Sequence, residues 1–271
     1  MGPIVTCQQP TYLPWPGLFH KLALADVFVV MDTVAFSRKG WINRNRVKGA
    51  NGPFWITVPL AWSRSASRRL CDLVIDSDVE DWQHRHWESL RHCYAGTPFW
   101  PRYAPVFEDL YLGRRWTGVV QLNLAIIERL MRIFGIDVEI VLASELGQSG
   151  RGSRLVLDHC LRTAAGVYVS GVNGHDYLIE EEFLAKEISV FYQRYRVPDY
   201  PQRHGAFVPG LSAVDLLFNM GSAAAATLLA GNVRRRDLIQ AVRTSAPAIV
   251  ESTPSGTVVV REPYLSGGAS R

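Results

Sequence analysis

Three side chains near the start of the chain, Cys7, His20 and Asp32, are of the types that acyl transfer through a thiol requires. A histidine can deprotonate a thiol, and a carboxylate can hold the imidazole in the useful tautomer. Gln8 and Gln9, or backbone amides, then stand where an oxyanion would form. Two plainer readings stay open. A single cysteine at a strand end serves equally as a small apolar core residue, and His20 can act as an acid, base or substrate contact without any thiol. Tyr12, Lys21, Trp41, Asn43, Arg44 and Asn45 crowd the same stretch. Asparagine amides suit sugar hydroxyls, and arginine forks suit carboxylate or phosphate oxygens. Trp41 and Tyr12 could wall a sugar ring, although a solvated hairpin and ordinary core would also account for these residues.

The elements that must position these groups follow from the apolar pattern. Pro3 to Cys7 reads as a buried strand ended by Gln8-Gln9-Pro10. Pro10, Pro14 and Pro16 fix the next turn. Leu18, Phe19, Leu22 and Ala25 recur at helical spacing and leave His20 and Lys21 on adjoining faces. The apolar run Val27 to Met31 then stops at Asp32. Strand, loop, helix and strand within thirty residues make a βαβ unit, which implies parallel pairing. Asn51-Gly52-Pro53 marks the turn of a hairpin, with Trp41, Asn43 and Asn45 expected on one side and Ile42, Arg44 and Arg46 on the other. Trp62 to Arg69 reads as an exposed loop.

Helices are expected over 78–94, 101–112, 116–134, 153–165, 211–218 and 222–229, with strands over 138–143, 167–170 and 188–195. Gly135 is placed to cap the third helix. Alternating strands and helices predict an α/β fold: a mostly parallel, doubly wound, Rossmann-like sheet with an inserted β-hairpin and a helical segment. Residues 1–232 form one domain in this reading, with the helical insertion at about 78–135, and 233–271 form a C-terminal extension with a frayed end. Ligands in such folds bind beyond the carboxyl ends of strands. Cys7-Gln8-Gln9, Asp32 and Ser170-Gly171 all fall there.

Composition narrows the function classes. The chain has 271 residues, 48% hydrophobic and 20% charged, with a net charge of +4. That mild charge argues against nucleic acid as the partner and for an anionic small molecule or an acidic protein. Cysteines 7, 71, 93 and 160 form no CxxC pair, and no secretory pattern opens the chain, so a cytoplasmic protein without membrane insertion is expected. His84, His86, His92 and Cys93 lack zinc-ligand spacing, and no phosphate-loop or dinucleotide motif occurs, so neither metal nor cofactor is expected.

The run QQPTYLPWPGLFHKLALADVFVVMDTVAFSRKGWINRNRVK, continued by WITVPL, resembles the N-terminal signature of the WbqC-like protein family. YVSG, DYL and YPQRHGAFVPGLSAVDLLFNMG resemble its C-terminal signature, so the likeness runs from about Pro3 to Gly221. The resemblance carries His20, Trp41, Asn43, Arg44 and Asn45 from the first signature, and Ser170, Gly171, Tyr177, Gln202, Asp215 and Asn219 from the later ones. It implies work in surface-polysaccharide or natural-product biosynthesis. The expected activity is an acyl- or aminoacyltransferase that passes an activated group to the amine of an amino sugar or pathway intermediate. The donor expected is an acyl- or peptidyl-carrier thioester, and a tRNA-borne donor stays compatible. The family also admits histidine or another residue where this chain has Cys7; in that case direct aminolysis with His20 as base replaces the thiol route. A non-catalytic sugar-nucleotide binder is the alternative class, with glycosyl or nucleotidyl transfer a third.

Overall fold

The computed structural model describes residues 1–79, 81–147, 149–245 and 247–262; the frayed end expected for the tail lies outside them. β1 (Ile4–Gln8) is the pivot of the sheet. It pairs in parallel with β2 (Val27–Val30) on one side and with β6 (Val167–Gly171) on the other. β5 (Glu139–Leu142) extends the sheet beyond β2, while β7 (Ser189–Gln193) and β8 (Ile249–Ser252) extend it beyond β6, all in parallel. β9 (Val258–Arg261) closes the far edge antiparallel to β8, giving the order β5-β2-β1-β6-β7-β8-β9. The chain therefore builds outward in one direction from β1 and then in the other from β6. Their junction is the switch point of the fold.

Alternate residues of these short apolar strands point to opposite faces. Ile4, Phe28, Val30, Val169 and Phe191 join one core with Leu18, Phe19 and Leu22 of α1 (Pro16–Leu24). The same core takes in α4 (Val119–Phe134), α8 (Ala213–Met220) and α9 (Ala224–Leu229). Val5, Cys7, Val29, Tyr168 and Val190 form a second core with Val156 and Cys160 of α6 (Ser153–Arg162) and Phe183 of α7 (Glu180–Leu184). Helices on both faces of a mostly parallel sheet make this an α/β fold, as the sequence predicts. Gly135 caps α4 at φ 67°, and its N–H reaches the Arg132 carbonyl.

The insertion between β2 and β5 carries a separate antiparallel hairpin, β3 (Arg44–Gly49) with β4 (Gly52–Thr57), followed by α2 (Trp82–Tyr94), α3 (Trp100–Leu112) and α4. Gly52 turns the hairpin at φ 99°. The expected alternation across this hairpin does not hold. The regular strand begins only at Arg44, and Trp41–Asn43 is a bend, so the phase shifts. Arg44, Arg46, Trp55 and the bend residue Trp41 share the outer side, whereas Ile42, Asn45, Val47 and Ile56 are buried beneath.

Residues 233–262, expected as an extension, supply α10 (Arg235–Ser245), β8 and β9. Ile249 and Val250 are fully buried. Arg261 on β9 bonds Glu180 at 2.9 Å and also pairs with Glu251, clipping the edge strands to α7. Among the described residues no helix is long and apolar enough to cross a membrane.

Candidate functional site

The crevice at the switch point has a direct structural origin. β1 pairs with β2 as far as Gln8↔Val30, but with β6 only as far as Val5↔Tyr168. Beyond that pair the β1/β6 ladder stops, and the Thr6 hydroxyl takes over by donating to the Val169 carbonyl at 2.9 Å. An opening between the carboxyl ends of two parallel strands where chain direction reverses is the usual ligand position in such sheets.

Lys21 supplies the charge at this opening. It lies on α1, and its side chain runs back toward the helix N-terminus, as helical side chains do. Its ammonium donates to Gln8 Oε1 at 2.7 Å. Only 5% of Lys21 is exposed. Burial lowers its pKa to about 8, an effect opposed by the nearby Cys7. A lysine so placed exchanges its proton near neutral pH. Because Gln8 Oε1 accepts from Lys21, the Gln8 amide nitrogen is left without a protein partner among the described residues. It is a donor available to a substrate oxygen. Gln9, half-buried, follows at the rim.

Cys7 faces the opposite side of β1 from Gln8. It is buried with Cys160, whose thiol is pushed up chiefly by burial, with Cys7 beside it adding to the rise. Tyr168 and Tyr177 share the same electrostatic surroundings, with burial raising both phenols. Ser170 is buried and donates to the Gly171 carbonyl at 3.0 Å, whereas Tyr177 is 46% exposed at the edge of this group. At the ends of β1 and β6, Cys7, Ser170 and Tyr177 thus lie on the side of the second core, and Gln8 and Lys21 on the side of α1.

His20 and Asp32 are not brought to Cys7. His20 is fully buried on the other face of the sheet. Its Nδ1 accepts from Gln193 Nε2 at 2.7 Å, and its Nε2 donates to the Val233 carbonyl at 3.1 Å. Burial lowers its pKa to about 4, so it is neutral, with both nitrogens occupied. Asp32 accepts from the Ser144 amide at 2.9 Å and the Ser144 hydroxyl at 2.6 Å, at the start of α5 (Ala143–Leu146). No Cys-His-Asp relay is assembled. The physical reason is that α1 is covered nearly all round, so a polar position off its apolar stripe is still interior.

The residues of the first signature mostly hold the backbone. Asn43 donates to the Val58 carbonyl at 2.9 Å. Asn45, 2% exposed, donates to the carbonyls of Tyr12 at 3.1 Å and Leu13 at 2.6 Å, fixing the loop that leaves β1. Leu13 in that loop has φ 41°, a left-handed conformation that a leucine holds only under such constraint. The Tyr12 hydroxyl donates to His86 Nδ1 at 2.7 Å and also pairs with Tyr111. Trp41 and Arg44 remain on the outer surface of the hairpin, away from the crevice.

Asn123, Gln193 and Lys48 escaped the sequence reading as positioning residues. Asn123 donates to the carbonyls of Pro10 at 2.8 Å and Ile42 at 2.7 Å. Its signal was available: an amide within the buried stripe of α4 must find a partner. Lys48, 1% exposed, donates to the Ala206 carbonyl at 2.6 Å and Gln202 Oε1 at 3.1 Å. Asp215, near Lys48, accepts from Tyr200 at 2.7 Å, and burial raises its pKa. These bonds tie the hairpin to the second signature.

With this geometry in hand, comparison with known proteins can be read. A family model described as the WbqC-like protein family matches residues 9–227. The chain belongs to the WbqC-like family. A Mycobacterium tuberculosis protein, uncharacterized protein Rv1507c, is 30% identical over 223 residues, covering 81% of this chain and 95% of its own length. No solved structure matches. The first signature contributes Gln9, Lys21 and the loop held by Asn45 at the switch point, and YVSG of the second supplies β6; Lys48 of the first signature meets Gln202 and Asp215 of the second beneath the hairpin.

Proposed function

We propose that this WbqC-like protein is an acyl- or aminoacyltransferase. It forms an amide by moving an activated acyl group from a carrier-protein thioester to the amine of an amino sugar or a related intermediate. The observation that carries this reading is Lys21, a buried amine with pKa about 8, hydrogen-bonded to Gln8 at the mouth of the β1/β6 crevice. A base that is partly neutral near pH 7–8 suits removal of a proton from the amine nitrogen as it bonds to the thioester carbon and becomes cationic.

In the proposed step the substrate nitrogen attacks the thioester carbonyl carbon, and Lys21 in its neutral form takes the nitrogen's proton. The Gln8 amide N–H donates to the oxyanion of the tetrahedral intermediate. The carbon–sulfur bond then breaks, and Lys21 returns its proton to the departing thiolate. Each turnover releases one amide and one thiol. Cys7 takes no covalent part, because its thiol is turned into the second core.

The test incubates the protein with acyl and aminoacyl pantetheine thioesters and amino-sugar nucleotides, following amide product and intact protein mass. Amide formation that is lost in Lys21→Met and retained in Cys7→Ala, with no acyl-enzyme adduct, supports the reading. A Cys7 adduct required for turnover contradicts the mechanism. Saturable binding of the sugar nucleotide without turnover with any donor contradicts the activity and leaves a binding protein.

A further inference from the structure

Charge along the chain is sharply segregated. Residues 33–71 hold eight of the 29 lysines and arginines and none of the 25 aspartates and glutamates. Three of the eight are spent locally: Lys48 is buried, and Arg64 and Arg69 pair with Asp76 and Asp72. Arg38, Lys39, Arg44, Arg46 and Arg68 have no carboxylate partner among the described residues.

Exposed aromatics are interleaved with them. Trp41 and Trp55 on the outer side of the hairpin are 41% and 46% exposed, and their rings lie 5.0 Å apart. Arg44 stacks on Trp55 at 4.7 Å. Beyond the Ser37–Gly40 turn, Arg68 stacks on Trp62 at 4.9 Å, with Phe36 against the same indole at 5.0 Å. Stacked guanidinium groups are held in place at little further entropic cost. Tryptophan and arginine together form the usual anchors of a protein interface.

We infer that this face docks a small acidic protein, namely the carrier that bears the thioester donor; the inference rests on the transferase reading for the partner's role. Two observations favour a protein over a single-stranded nucleic acid. Arg44 lies over the Trp55 ring and Arg68 over the Trp62 ring, and Trp41 packs on Trp55, which occupies ring faces on which bases would stack. Arg38, Lys39, Arg44, Arg46 and Arg68 also fall on the hairpin, the turn before it and the loop after it, a stretch that carries no carboxylate of its own and so suits a partner rich in carboxylates. The face is joined mechanically to the crevice: the Trp41 carbonyl accepts from the Tyr12 amide at 2.9 Å, and Asn45 holds the Tyr12 and Leu13 carbonyls of the loop leaving Gln8 and Gln9.

The test uses, as probe, fluorescein-labelled phosphopantetheinyl acyl carrier protein of bacterial fatty-acid synthesis, with a 12-mer single-stranded RNA as second probe. The full-length protein is expected to bind the carrier with salt-sensitive affinity. Arg44→Glu combined with Arg46→Glu should weaken binding about tenfold or more, as charge reversal at a desolvated contact does. Trp55→Ala should also weaken it, while Arg234→Glu, on another surface, should leave it unchanged. The hairpin variants should raise KM for a carrier thioester and leave kcat and turnover of a pantetheine thioester unaltered. Absence of carrier binding, equal binding by all variants, or tighter binding of the RNA overturns the docking inference. Failure of both donors to react while variant-sensitive carrier binding persists refutes the transferase reading and leaves the docking face standing.

Discussion

Replacing Lys21 by methionine should stabilise the fold while abolishing activity, and the stabilisation should depend on pH in a defined direction. The folded-state pKa of Lys21, about 8, lies below the ordinary lysine value of 10.5. The unfolded chain therefore keeps its proton between about pH 8 and 10.5 while the native state has released it, and native stability rises with pH across that window. Taking these two values, the burial of the ammonium destabilises the native state by about 3 kcal/mol at pH 7 and by only about 1 kcal/mol at pH 9.5. Methionine has similar length and no charge, and Gln8 at the rim can turn its amide to water. Urea denaturation at the two pH values gives the comparison directly. Lys21→Met should be more stable than the parent by up to about 3 kcal/mol at pH 7, with the advantage shrinking by about 2 kcal/mol at pH 9.5. A variant that is less stable at pH 7, or whose advantage does not change with pH, would show that Lys21 is not the strained ammonium on which the proposed chemistry depends.

Acid should act through the buried histidines. His20 and His86, both brought down to about 4 chiefly by burial, are neutral in the fold, and the unfolded state takes up their protons below about pH 6.5. Stability should therefore fall by about 2 kcal/mol per histidine between pH 7 and 5, and His20→Asn should flatten that slope in urea titrations. Asn123→Leu strips the amide donor from the Pro10 and Ile42 carbonyls, and should cost about 1–3 kcal/mol by thermal or urea unfolding. Deletion of residues 233–271 removes the Val233 carbonyl from His20 and the buried Ile249 and Val250; no cooperatively folded protein should result, as judged by circular dichroism and a melting transition.

Much of the frame was legible because it depends on local pattern. The apolar run at Ile4, the stripe and glycine cap of α4, and the strand–helix alternation each report an element directly. The strand ends at Gln8 and at Ser170-Gly171 followed from the same alternation. What escaped depends on pairing between distant segments. Val258–Arg261 is a short run whose strand character comes from β8, and β8 in turn from β7. The orientation of His20 turned on how completely α1 is enclosed, which its own periodicity does not report. Lys21 read as a candidate substrate contact; its lowered pKa arises from the closed surroundings of α1, which the sequence does not report. The hairpin sides were misassigned because a bend at Trp41–Asn43 shifts the phase without leaving a glycine or proline between Trp41 and Arg44 to mark it.

The central claim is that Lys21, with Gln8, performs base-assisted aminolysis at the β1/β6 crevice. The pH dependence of kcat for amide formation from a pantetheine thioester tests it most directly. The account predicts a rise with pH through an apparent pKa near 8, consistent with loss of the Lys21 proton. The rise should vanish with the activity in Lys21→Met, while Cys7→Ala and His20→Asn keep it. A profile governed by a group near 6, or full turnover by Lys21→Met, would contradict it.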